Sequence, residues 1–209
     1  MPLVNVHLPA VDGEIPDDVS RFLRDADRRI DEYQIRCRAP AFVPSNYEGA
    51  YRVLQGLADS PLMRGTLFCE WGSGYGVVAC LASIVGFESA GIEAEGELVY
   101  AARQLAEEYE LPVEFAHGSF VPPGNEDRVV AAGEYAWMTT DSDYAYDELG
   151  MEPNDFDLIY AYPWPDEEAV TAKLFERNAG PGALLLTFHG STEFRLRRKT
   201  KKSKKTCGS

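Results

Sequence analysis

Thr66-Leu67-Phe68-Cys69-Glu70-Trp71-Gly72-Ser73-Gly74-Tyr75-Gly76 decides how the rest of the chain is read. Its first half is apolar and predicts a short buried strand. An acidic residue and three glycines spaced by two follow, and Val77 to Ile84 then forms an apolar run that predicts a helix. A strand that ends in glycines and feeds a helix makes a crevice at the strand's carboxyl end. Glycine lets a ligand lie directly against the backbone. The helix amino terminus adds unpaired N–H groups, which suit a carboxylate or a phosphate.

The glycine spacing narrows the ligand. A dinucleotide fingerprint wants glycine at its first, third and sixth positions. Counted from Gly72, the sixth position is Val77. A second acidic residue, Glu93, ends the next predicted strand, 17 residues after Gly76. A carboxylate there can accept both hydroxyl hydrogens of a ribose. Glycine-rich turns and exposed acids are each common; their joint order and spacing point to a nucleoside.

The order acidic-x-Gly-x-Gly-x-Gly, at Glu70, Gly72, Gly74 and Gly76, resembles the first motif of the class I S-adenosylmethionine-dependent methyltransferases. The resemblance covers roughly residues 40–190 and implies methyl transfer with S-adenosylmethionine as cofactor. It places Glu70, Trp71, Gly72, Ser73, Gly74 and Gly76 against that cofactor, with Glu93 and Ala94 at its ribose. Gly118, Ser119 and Phe120 follow the third core strand, where the family contacts the adenine. Many members carry an acid there; Ser119 departs from that pattern, although a hydroxyl can accept the same hydrogen bond. The resemblance also implies Tyr160 on the cofactor side, and Tyr162 and Trp164 on the substrate side. Ala161-Tyr162-Pro163-Trp164 resembles the family's fourth motif but lacks the polar first residue and first proline of enzymes that methylate base amines. No general base stands out: Tyr160 and Tyr162 share one side by pleat alternation, and His189 ends the fifth core strand. No metal is implied.

The expected fold is α/β, a Rossmann-like, mostly parallel sheet with helices on both faces. Residues 1–60 read as a helical segment packed on the core, 61–192 as the core with an insertion at 121–154, and 193–209 as one edge strand and a basic disordered tail. Only Glu193 to Arg197 remains to supply a strand after Gly190, so the sheet is expected to be shortened at its C-terminal edge. Asp17 to Arg36 predicts an amphipathic helix with Val19, Phe22, Leu23, Ala26, Ile30 and Tyr33 inward. Ser45-Asn46-Tyr47-Glu48 reads as a capping box opening the next helix, and Phe42-Val43-Pro44-Ser45 is faintly similar to small protein-lysine methyltransferases.

Charge speaks to the acceptor. The chain of 209 residues carries a net charge of −14, but its last fifteen residues hold eight of the 20 Lys and Arg and no acid. The rest sets 34 acids against 12 bases, a net of −22. Phosphate contacts need cationic faces, so nucleic acid is an unlikely partner for this body. A basic protein or small molecule, such as one offering a lysine or another amine, fits it better. Tyr135, Trp137, Tyr144 and Tyr146 stand among many acids in the insertion and suggest a rim for such a cation. Cys69 and Cys80 read as core thiols. No signal pattern and no apolar run near the ~20 residues of a membrane span occurs, and a cytoplasmic enzyme is the simplest reading. Two other classes stay open: a non-catalytic nucleoside-binding module and a nucleotide-dependent oxidoreductase.

Overall fold

The structure is a computed structural model that describes residues 2–9, 13–37, 43–125, 129, 138 and 142–200. In chain order the elements are β1 (Leu3–Val6), α1 (Asp17–Cys37), α2 (Tyr47–Ala58), β2 (Leu67–Trp71), α3 (Val77–Ile84), β3 (Glu88–Glu93) and α4 (Gly96–Glu108). They continue with β4 (Val113–His117), α5 (Tyr146–Leu149), β5 (Leu158–Ala161), α6 (Glu168–Asn178), β6 (Leu184–Phe188) and β7 (Phe194–Lys199).

The strands form one sheet in the order β1-β7-β6-β5-β2-β3-β4. The five strands from β6 to β4 run parallel, and β7 and β1 are antiparallel additions. From β2 the chain moves outward to β3 and β4, then returns to place β5 on the other side of β2. The order therefore reverses between β2 and β5, and a ligand crevice opens at the carboxyl ends of strands at such a point.

Pleat alternation divides the core into two. Phe68, Leu158, Tyr160, Leu184 and Leu186 face α1 to α4, while Cys69, Trp71, Ile159, Ala161 and Leu185 face α5 and α6. Parallel strands covered on both faces are apolar throughout, which is why β5 and β6 show no polar alternation. Burying each large side chain of this kind is worth about 1.5–3 kcal/mol. All six residues expected on the inner face of α1 are buried.

Two expectations change. The sheet is not shortened. The C-terminal segment supplies one strand, as expected, but the N-terminal Leu3–Val6 pairs antiparallel with β7 and fills the next place, with Leu3 opposite Lys199 and Val6 opposite Leu196. The capping residue of α2 is Asn46, not Ser45: Asn46 Oδ1 accepts the Gly49 N–H at 2.9 Å. Both residue types cap well, so neighbours in sequence compete for the position. Ser45 is drawn away by a partner on β5.

Among the described residues no helix is long and apolar enough to cross a membrane. Cys69 and Cys80 are free and buried.

Candidate functional site

The loop after β2 is built by backbone hydrogen bonds that only a left-handed path allows. Gly72, Gly74 and Gly76 have φ of +69°, +53° and +73°. The Ser73 N–H donates to the Ile92 carbonyl at 2.9 Å, tying the loop to β3, and the Gly76 N–H donates to the Ser73 carbonyl at 2.7 Å. The glycines serve different ends. A Cβ on Gly76 would stand 2.5 Å from the Phe115 ring and 2.8 Å from Ala102, so packing forbids it. At Gly72 no heavy atom lies within 4 Å of that position among the described residues, so the space is open. Gly91 on β3 has no room either, with Phe115 at 2.7 Å and Ser73 at 2.9 Å.

Two carboxylates frame the loop. Glu70 is buried, and its Oε2 accepts the Ala79 N–H of α3 at 2.8 Å. Burial pushes its carboxyl well above the usual range, and the Glu93 charge adds to this against the pull of the Ala79 N–H. Glu93, half-buried at the end of β3, accepts three backbone N–H groups. Oε2 takes Gly74 at 2.8 Å; Oε1 takes Ala94 at 2.8 Å and Glu95 at 3.0 Å. Burial raises its pKa, and these three donors oppose the rise. One carboxylate has about four acceptor sites, so one remains, on Oε2, toward the glycine loop.

Ser73 contributes an orphan. Its Oγ is buried and has no hydrogen-bond partner among the described residues. An unpaired buried hydroxyl costs about 1–3 kcal/mol. The orphaned hydroxyl, the open space at Gly72 and the spare acceptor of Glu93 are what a nucleoside-bearing ligand would use, and the residues fit S-adenosylmethionine on that ground.

The other expected residues divide. Trp71 is buried on the α6 face, where its Nε1 donates to Tyr146 Oη at 2.6 Å and its ring stacks on Phe120 at 5.0 Å with planes 8° apart. Trp71 and Phe120 are thus neighbours, although 49 positions separate them in sequence. Gly118 has φ of +148°, and its N–H donates to the Glu93 carbonyl at 2.9 Å. Ser119 is buried, and its Oγ accepts the Val121 N–H at 3.0 Å. His117 is exposed, as expected of a solvent-facing strand residue, with Nε2 2.9 Å from the Ala94 carbonyl.

On β5, Tyr160 is almost fully buried and its Oη lies 2.6 Å from Ser45 Oγ. Burial pushes its phenol well up. Tyr162, on the same side, is half-buried with its ring 4.8 Å from Phe188. The Trp164 N–H donates to Glu167 Oε2 at 3.2 Å at the entrance to α6. His189 is engaged on both nitrogens: Nδ1 lies 2.9 Å from Glu168 Oε1 and Nε2 2.8 Å from Thr187 Oγ1. With its side chain 4% exposed, it is not placed to take a proton from an acceptor.

The described part of the insertion is less of a rim than its composition suggests. Tyr146 is fully buried, Tyr144 donates to Glu152 at 3.0 Å, and Glu148 pairs with Arg103 at 2.7 Å. Tyr135, Trp137 and Asp141 lie outside the described residues.

No family model matches the chain, and no curated protein matches it. Solved structures do. An RNA methyltransferase from Salinibacter ruber in complex with S-adenosyl-L-homocysteine superposes with a TM-score of 0.53 and 16% identity, over 80% of this chain and 100% of that one. A methyltransferase from Geobacter sulfurreducens gives a TM-score of 0.55 and 11% identity, over 92% of this chain and 100% of that one. The seven-stranded sheet, its reversal beside β2 and these likenesses agree: the chain has the class I methyltransferase fold.

Proposed function

We propose that this chain binds S-adenosylmethionine in the crevice beside β2 and transfers its methyl group to an acceptor. The observation that carries the reading is the loop Gly72–Gly76, left-handed at its three glycines and open at Gly72, held against Glu93 by the Gly74 N–H. Bound there, the cofactor supplies a methyl carbon on a sulfonium, already a good leaving group.

The protein's part is then to hold and to exclude. Glu93 accepts a ribose hydroxyl with its spare Oε2 site, and Ser73 Oγ finds its missing partner. The glycine backbone lets the ligand approach without a side chain between them. The carboxyl end of β5, with Tyr162 and Trp164, borders the place where an acceptor would stand. Holding a nucleophile in line with the methyl carbon can supply several kcal/mol, about 7–11 in the best-oriented cases. No side chain of the crevice is assigned as a general base.

The finer reading of the acceptor is an amine, such as a lysine side chain or a basic small molecule. The net charge of −22 outside the last fifteen residues supports it. The paired Glu148 and the buried Tyr146 reduce the contribution of the insertion to that attraction.

Calorimetric titration with S-adenosylmethionine and S-adenosylhomocysteine tests the first half. Incubation with methyl-labelled cofactor and separate amine, hydroxyl and RNA acceptors tests the second. Binding with transfer to an amine is the expected result. Transfer to a hydroxyl or to RNA instead rejects the amine. Binding with no transfer to any acceptor favours a nucleoside-binding module, and no binding rejects the reading altogether.

A further inference from the structure

Glu70 stands near the end of β2 with little to hold a negative charge. Its register partners are Gly91 of β3 and Tyr160 of β5, which puts it in the middle of the sheet, 5% exposed. Oε2 accepts the Ala79 N–H at 2.8 Å, and Oε1 accepts no hydrogen bond among the described residues. The titratable groups around it offer no counter-ion. They are Glu93 of β3, Tyr160 of β5, Tyr47 of α2, Cys80 of α3 and the adjoining Cys69, with Asp27 of α1 beyond Tyr47. No lysine, arginine or histidine among the described residues is set against Glu70.

Glu93, across the loop, is treated differently. Three N–H groups donate to it and favour its ionised form. Glu70 has one such donor, and burial outweighs it. A buried carboxyl without a counter-ion keeps its proton rather than its charge. Gly72, where space is open among the described residues, is two residues further on, roughly 7 Å at full extension. A positive charge lodged in the crevice would be the missing counter-ion, and an interior site screens it little.

We propose that Glu70 is the residue by which this crevice distinguishes a sulfonium from a neutral thioether: it holds a proton when the crevice is empty or carries S-adenosylhomocysteine, and releases it when S-adenosylmethionine binds. The inference rests on the crevice reading above. The step is an acid dissociation, in which the carboxyl O–H breaks, the proton passes to solvent and no electron is exchanged. Both ligands carry the same ammonium and carboxylate, so the sulfonium charge is what separates them. An ionised Glu70 attracts the methyl donor. Once the methyl group is gone the charge is gone with it, Glu70 takes a proton back, and the product is held less tightly.

The sign follows from linkage. A cation that binds the ionised form better gains affinity as pH rises, by at most about tenfold per pH unit for one proton. Calorimetric titration of the full chain with each ligand, in two buffers of different ionisation enthalpy, counts the protons released. The range from about pH 5 to about pH 7 lies above the ordinary carboxyl value and below that of an α-amine, about 7.7–8.0. S-adenosylmethionine should release up to one proton and bind more tightly as pH rises, while S-adenosylhomocysteine releases close to none. Glu70→Gln, which keeps an oxygen for the Ala79 N–H, should abolish the release. If that variant does not fold, carbon-13 NMR of the native protein reads the Glu70 carboxyl carbon, which should move to its ionised position with S-adenosylmethionine and stay in place with the product. Equal release by both ligands, none with S-adenosylmethionine, release that persists in Glu70→Gln, or an unmoved carboxyl carbon overturns the proposal while the crevice reading stands. Failure of both ligands to bind overturns the two together.

Discussion

Ser45 Oγ and Tyr160 Oη lie 2.6 Å apart, a hydrogen bond that joins the entrance of α2 to the middle of β5 across 115 residues of sequence. Tyr160 is 1% exposed, whereas Ser45 is only half-buried. The pair is therefore asymmetric. Ser45→Ala leaves a buried phenol hydroxyl without its partner and should destabilise the protein by about 1–3 kcal/mol. Tyr160→Phe leaves only a serine that water can reach and should cost less, about 0.5–1.5 kcal/mol. Urea denaturation of both variants checks the order; equal losses would show that the bond is not what anchors α2.

The glycines of the loop should separate packing from binding. Gly76→Ala drives a methyl into Phe115 and Ala102 and should lower the thermal midpoint of the protein itself. Gly72→Ala meets no neighbour among the described residues and carries the left-handed backbone strain, about 1–2 kcal/mol. It should stay folded yet lose affinity for S-adenosylmethionine, because its methyl fills the ligand's space. Native affinity in folded Gly72→Ala would mean that the loop is a turn and nothing more.

Glu93 should act on both the loop and the ligand. Glu93→Ala removes the acceptor of the Gly74, Ala94 and Glu95 N–H groups as well as the ribose contact. Hydrogen bonds to a charged group are worth about 1.5–3 kcal/mol, so the dissociation constant should rise at least tenfold. Calorimetry measures this directly, and unchanged affinity rejects the ribose assignment.

Glu70 predicts a pH dependence. Its carboxyl is raised well above the ordinary value by burial, so the folded state holds the proton more tightly than the unfolded chain. Between the unfolded and folded pKa values the native state binds more protons, and stability falls as pH rises through that window. Glu70→Gln keeps an oxygen for the Ala79 N–H and carries no charge. Its stability relative to the native protein should improve as pH rises from the ordinary carboxyl value, about 4.3, toward the raised folded-state value. Denaturation curves at both ends of that range decide it: a constant difference between the two proteins would mean that Glu70 does not titrate there.

Much of the architecture is legible in the amino-acid sequence. The inner face of α1 follows from the spacing of Val19, Phe22, Ala26 and Ile30, because helical periodicity is a property of neighbours in the chain. The strand–glycine–helix unit and the acid ending β3 are readable for the same reason: a left-handed turn needs glycine where it stands, and each core strand is a compact apolar run. Ser119 and the end of β5 can be located along the chain in this way, but their surroundings cannot.

What the sequence alone determined, then, is local: the elements, their inward faces, and the loop whose glycines make the crevice. Tertiary structure decided which element meets which. It gave Leu3–Val6 to the edge of β7, where the free hydrogen-bonding groups of an edge strand take whichever extended segment reaches them. It chose Asn46 over Ser45 as the cap of α2, because a buried tyrosine on β5 needed the serine's oxygen. It took Tyr146 into the core against Trp71, where composition had suggested a rim. A buried polar group must find a partner, and that partner is set by which surfaces pack together, a pairing that no sequence spacing records.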